Sequence, residues 1–270
     1  TTIFPSPRFN LALIPKQIPL IKWSRQETPH HLTPGQPAES RALRREVRGQ
    51  PAEPPGLDPT GNTAAAIDRV VYANIYEGLV KVDSNGNFLP GLANGWNVSA
   101  DGRVYTFHLR QGVNFHNGEP FNAQVAKWNL ERGGAEGTQN AHPEFFRGIE
   151  KIETPDDNTL VLTLKDVDAL FIAHMAEGDA VMLPQKGYEN AASQPVGTGP
   201  FKFVTWARGD RVEMARNEKY WNPALPYLDK VTFKPFPEPS ARTNSLLGSE
   251  LDALEMDQYS ELQEAANILR

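Results

Sequence analysis

The chain has 270 residues, with 39% hydrophobic and 22% charged content, which suits a folded protein of one large domain or two small ones. Its net charge of −6 argues against the basic face of a nucleic-acid binder, and no apolar run approaches the roughly 18 residues of a membrane span. The lack of cysteine removes disulfides, thiolate zinc sites and cysteine nucleophiles together.

Residues 1–56 read differently from the rest. Eleven of the 23 prolines fall in residues 1–60, and residues 1–50 carry eight Lys/Arg against three Glu. Prolines at this density interrupt both helix and strand periods, so residues 1–56 are expected to be a disordered or non-native Pro-rich extension. His30-His31 lies there without a third metal ligand nearby. The chain opens on Thr1, and the apolar stretch Leu11–Ile14 stops at Pro15, too short for a signal peptide. A mature, trimmed or fragmentary chain is expected.

Regular patterning starts at Leu57. "TAAAIDRVVYANIYEGL" places Ala66, Val70, Ala73 and Ile75 or Tyr76 near helical spacing, with Asn62 or Thr63 to cap and Gly78 near the end. "LVKVDSNGNFLPGLA" is a hairpin around Asn85-Gly86, and "RVYTFHLR" a strand with Tyr105, Phe107 and Leu109 on one face. "FNAQVAKWNLER" predicts a helix capped by Asn122, with Val125, Trp128 and Asn129 or Leu130 inward. "IEKIETPDDNTLVLTLK" is a second hairpin, and "ALFIAHMAEG" a helix. "FKFVTW" and "RVEMAR" pair across Ala207–Asp210, "LDKVTFKPF" adds a strand, and "SARTNSLLGSELDALEM" is helix, turn and short strand. Strands and helices mix without regular βαβ alternation, which indicates an α+β fold with a mixed sheet.

Catalytic constellations are missing from the sequence: there is no G-x-S-x-G elbow, no H-E-x-x-H and no phosphate loop. Gly197-Thr198-Gly199 runs into Pro200, which removes a backbone donor that a phosphate nest would use. Asp101, His116 and Glu119 lie in turns without supporting spacing, so an enzyme is not expected.

Several stretches taken together carry a resemblance. They are "LDP" (57–59), "IYEGLVKVDSNGNFLPGLANGW" (75–96), "DGRVYTFHLRQGVNFHNGEPFNA" (101–123), "WNLER" (128–132), "VGTGPFKF" (196–203), "ARNEKYW" (215–221) and "SELDAL" (249–254). In this order they resemble the periplasmic solute-binding proteins of peptide, oligopeptide and nickel ABC importers, the family 5 extracellular solute-binding proteins. Two local departures stand out: Val125-Ala126 where the family carries an acid and a valine, and Gly248-Ser249-Glu250 where it reads Ser-Gly-Glu.

The resemblance implies one lobe of a two-lobed periplasmic-binding-protein fold (type II, cluster C), with the second lobe absent. Residues 57–79 and 194–256 would form the lobe's core, 80–193 an inserted subdomain, and 257–270 the start of the missing lobe. The implied function is capture of peptides or similar small solutes in the periplasm and delivery to membrane permease subunits. An inactive fragment from a broken gene is the alternative. A monomer is implied, with no cofactor, metal or nucleic acid. Asn62, Thr63, Ala64, Gly197, Thr198 and Gly199 are the residues expected to face the ligand.

Overall fold

The structure is a computed structural model that describes residues 21–22, 44–62 and 64–255. Thr63 and the expected start of a second lobe at 257–270 lie outside the described residues, as does most of the Pro-rich segment. The elements in chain order are β1 (Ile21–Lys22), β2 (Arg45–Gln50), α1 (Ala65–Val71), β3 (Val80–Val82), β4 (Phe88–Pro90), β5 (Ala93–Val98) and β6 (Val104–Leu109). They continue with α2 (Ala123–Gly134), α3 (Pro143–Arg147), β7 (Ile149–Asp156), β8 (Thr159–Leu164) and α4 (Phe171–His174). The last are β9 (Phe201–Ala207), β10 (Arg211–Arg216), β11 (Lys230–Pro235), α5 (Pro239–Leu247) and β12 (Ala253–Leu254).

Two principal sheets divide the chain. The first has the order β1-β12-β2-β11-β10-β9, with β2 parallel to both β11 and β12 and the other pairs antiparallel. Ile67, Val70 and Val71 of α1 pack on its Val212, Met214, Val231 and Phe233 to make one core. The second sheet, β5-β6-β8-β7, is antiparallel throughout. Phe107, Leu160 and Leu162 pack there with Val125, Ala126 and Leu130 of α2 to make another core. This mixed architecture is the α+β fold that the pattern implied, and it forms a single lobe.

The period-2 and helical patterns carried most elements. Tyr105, Phe107 and Leu109 are buried on β6, as are Leu160, Leu162 and Leu164 on β8. Asn122 caps α2 by accepting the Val125 N–H at 3.0 Å. β9 and β10 pair as expected across the turn that follows Ala207.

Three readings need correction. The Pro-rich extension was bounded at residue 56, yet Arg45–Gln50 is a strand in the middle of the first sheet. "REVRGQ" holds a single large apolar residue, so its pattern gives no strand signal; backbone ladders to β11 and β12 on both sides fix it instead. Helix α1 ends at Val71 and does not continue to Tyr76. Ala73 adopts φ 57°, which reverses the chain and buries Ile75 and Tyr76 in a turn. "ALFIAHMAEG" yields only the four-residue α4.

The exchange at 248–250 has a backbone consequence. Gly248 ends α5 at φ −73°, an ordinary helical value, whereas Ser249 takes φ 62°. The family order Ser-Gly-Glu would put glycine at that left-handed position; here a residue with a β-carbon sits there. Ser249→Gly is therefore expected to stabilise the fold by about 1 kcal/mol. An unchanged or lower urea midpoint for the variant would contradict the assignment.

Candidate functional site

The expected ligand-facing residues lie on two loops. Asn62 is exposed and accepts the Ala64 N–H at 2.9 Å, fixing the entry to α1, whose own cap at Ala64 has no side-chain bond. The Gly197-Thr198-Gly199 loop enters β9, and all three of its residues are buried. No hydrogen bond links the two sets among the described residues.

Glycine is required at 197 and 199 for a steric reason. A β-carbon at 197 would overlap the Ile75 carbonyl, and one at 199 would overlap the Asn74 carbonyl. The loop lies flat on the reversed turn after α1, and the Gly199 and Phe201 N–H groups donate to Ile75 and Asn74 at 2.8 and 3.0 Å. Thr198 is 1% exposed, and its hydroxyl donates to Glu77 Oε2 at 3.0 Å.

Glu77 is the centre of this arrangement. It is 1% exposed and accepts four side-chain bonds: Lys81 Nζ and Tyr220 Oη on Oε1, each at 2.7 Å, and Trp221 Nε1 at 2.9 Å beside Thr198 on Oε2. A carboxylate this deep is tolerated only when its lone pairs are filled, and here they are. The Tyr220 hydroxyl, buried against this carboxylate, is driven far above its ordinary pKa, by burial first and by the Glu77 charge second. Trp221 in turn lies under Arg110 at 4.0 Å and Lys81 at 5.3 Å.

A second set of bonds holds the loop from the turn between β6 and α2. His116 donates its main-chain N–H to Gly197 O at 2.9 Å, and its Nε2 bonds Gly199 O at 2.9 Å. Gly197 N–H points at His116 Nδ1 at 3.4 Å, so the carbonyl acceptor and this donor together select the neutral, Nε2-protonated ring. Burial lowers the His116 pKa to about 4. Asn217 adds Nδ2 to Gly199 O at 3.0 Å. "IYEGL", "FHNGEP", "GTGPF" and "NEKYW" thus converge on one joint between the two cores.

The candidate carboxylates of the enzyme alternative are not brought together. Asp101 bonds Ser99 and the Arg103 N–H within its own turn. Glu119 accepts from Asn117 and from the Lys186 N–H, and His116 is committed to the 197–199 loop.

One edge that sequence reading missed is acidic. Asp68 of α1 lies against Gly178, where a β-carbon would overlap its carboxylate. His142, Glu177 and Asp179 each bring one potential ligand atom within 4.8 Å of the others. Burial first, then mutual repulsion, raises the pKa of Asp68 and of Asp179 to about 6. These acids are more than 100 residues apart in sequence, so no local motif announces them. Two surface depressions, of about 250 Å³ beside Trp206 and 300 Å³ beside Phe146, are lined by neither candidate loop.

Residues 87–269 match the family model described as bacterial extracellular solute-binding proteins, family 5, middle. The glutathione-binding protein GsiB of Pectobacterium atrosepticum is 35% identical over 190 residues, covering 68% of this chain and 37% of that protein. The periplasmic binding protein AgaA from Agrobacterium tumefaciens R10, solved with agropinic acid, superposes with a TM-score of 0.72 at 32% identity, over 77% of this chain and 43% of that one. The binding protein DppA of Helicobacter pylori, solved with the peptide STSA, gives 0.73 at 29% identity over 82% and 48%. The chain thus spans under half the length of these relatives.

Two outcomes test the joint. Glu77→Gln turns an amide toward fixed donors and is expected to cost about 3 kcal/mol, with Tyr220→Phe costing about 1. Urea midpoints check both, and a Glu77→Gln loss under about 1 kcal/mol would contradict the role given to Glu77. The pH dependence has two opposing parts. His116 is depressed from 6.5, so the unfolded chain takes up its proton first and stability falls as pH drops from 6.5 to about 4. Asp68 and Asp179 are raised, so protonating them restores stability as pH falls through about 6. The Asp68→Asn/Asp179→Asn variant should therefore lose stability more steeply than the parent between pH 6.5 and 4, and parallel curves would contradict this.

Proposed function

The chain belongs to the family 5 bacterial extracellular solute-binding proteins, and from that premise we propose that it is the solute-capturing part of an ABC importer. In this reading it takes up a peptide or similar small solute in the periplasm and presents it, as a monomer, to membrane permease subunits. No catalysis is assigned to it. Among the described residues no helix is long and apolar enough to cross a membrane.

The observation that carries the proposal is the joint around Glu77. Four of the stretches that resemble the family meet there, tied by side-chain bonds to Glu77 and by His116 to the 197–199 loop. Asn62, Thr63 and Ala64 are proposed as the solute-facing residues. Gly197, Thr198 and Gly199 are proposed to form the inner layer of the same wall, acting through the Ile75 turn on which they lie. The relatives are named or solved with glutathione, agropinic acid and the peptide STSA, which supports a peptide or similar small solute.

In the wider family a solute is held by two lobes at once, and its contacts with both favour the closed form. One lobe alone should retain only part of that affinity. Calorimetric titration of the 270-residue chain with di- to tetrapeptides is expected to give saturable but weak binding, in the millimolar range (about −4 kcal/mol). Micromolar binding would contradict the single-wall account, and no response to any peptide at about 10 mM would contradict solute capture by this surface.

A further inference from the structure

The first sheet has two outer edges, and they are finished differently. On β9, Val204 is an extra residue opposite Glu213 and Met214, a bulge that interrupts the ladder. The Gly199 and Phe201 N–H groups, where β9 begins, donate to the Ile75 and Asn74 carbonyls. These features blunt an edge against further pairing. β12 has neither. It pairs with β2 on its inner side and, among the described residues, with β1 alone on its outer side. Ala253 and Leu254 are buried, and Leu254 joins Leu251, Val47, Phe236 and Leu246 in a third, small core. Without β1 this would be a regular apolar edge, open to a strand from another molecule.

β1 has the features of a terminal strand. It is two residues long, Ile21 and Lys22, and Pro19 stands two residues before it. Short length, a lysine and a nearby proline each discourage a further strand from adding to its far side. Ile21 stands opposite Leu254 and Lys22 opposite Ala253, in antiparallel register. The charges are complementary as well. Glu250, Asp252 and Glu255 flank β12 in sequence, whereas residues 1–50 carry eight Lys/Arg against three Glu.

We propose that the Pro-rich segment is a working part of this fold: Ile21–Lys22 is a strap that docks on the outer edge of β12 and reserves that edge against a second copy of the chain. β12 offers backbone groups that must be satisfied, and the strap satisfies them from within the molecule. Loop-closure entropy rises only slowly with length, so the span of residues 23–44 is no obstacle. The pattern of the sequence hides this strand, because two residues carry no period. The inference does not depend on which solute is bound.

The chain has no cysteine, so an introduced pair reads the register directly. Lys22→Cys/Ala253→Cys puts two thiols on ladder partners, whose α-carbons are about 4.5–5.5 Å apart in an antiparallel pair and so within disulfide range. Mild oxidation of the full chain is expected to close an intramolecular disulfide, seen as a faster band on a non-reducing gel. The control Lys22→Cys/Val98→Cys, with Val98 exposed on β5 of the other sheet, should not close. In a second arm, Ile21→Pro/Lys22→Pro removes the strap's backbone donors. Sedimentation velocity at about 0.3 M salt, which screens the acids near β12, should then show concentration-dependent dimers where the parent stays monomeric. Failure to close a disulfide beyond the control, disulfide-linked dimers in its place, a dimeric parent, or a proline variant as monomeric as the parent would overturn the proposal. The cross-link decides the docking even where the proline variant does not fold.

Discussion

A carboxylate with almost no access to solvent must be given donors, and Glu77 draws them from three other places in the chain. Lys81 lies four residues on, Thr198 enters from the loop before β9, and Tyr220 and Trp221 come from the loop after β10. Leaving any of these unpaired in the interior is unfavourable by a sizeable fraction of a domain's net stability. The chain is therefore constrained to bring these loops together at the segment between α1 and β3. The remaining contacts follow from this, including the glycines that let the 197–199 loop lie on the Ile75 carbonyl.

The joint also explains why the site region has two unlike halves. Its interior is closed: burial keeps His116 neutral, and the Thr198 hydroxyl is given to Glu77. The neighbouring charges are less settled: Asp68, Glu177 and Asp179 repel one another, and Arg132 bonds the Thr60 hydroxyl.

Much of the fold was legible because its strands alternate cleanly. "VYTFHL" and "TLVLTL" bury every second residue, and the structure places them side by side in one sheet. The central strand Arg45–Gln50 was not legible, since its burial comes from backbone ladders on both sides and its residues are mostly polar. The early end of α1 was hidden for a related reason: apolar residues continue at helical spacing through Tyr76, but Ala73 at φ 57° turns them inward by another route. For the candidate site, the 197–199 loop stands out in the sequence by its glycines, and its close approach to Ile75 and Asn74 is visible in the structure. Glu77, the residue that organises them, was read only as part of a stretch, because its partners lie up to 144 residues away. The Arg132–Thr60 contact likewise joins residues 72 apart in sequence.

The central claim is that the Glu77 joint makes the first sheet and the β5-β6-β8-β7 sheet one cooperative unit. Native-state hydrogen exchange on the 270-residue chain tests this most directly. The account predicts that the amides of Gly199, Phe201 and His116, on the two sides of the joint, exchange only through an opening with the free energy of β6 and β10 in the two cores. Exchange of the 80–193 region through a separate, lower-energy opening, with the first sheet still protected, would contradict it.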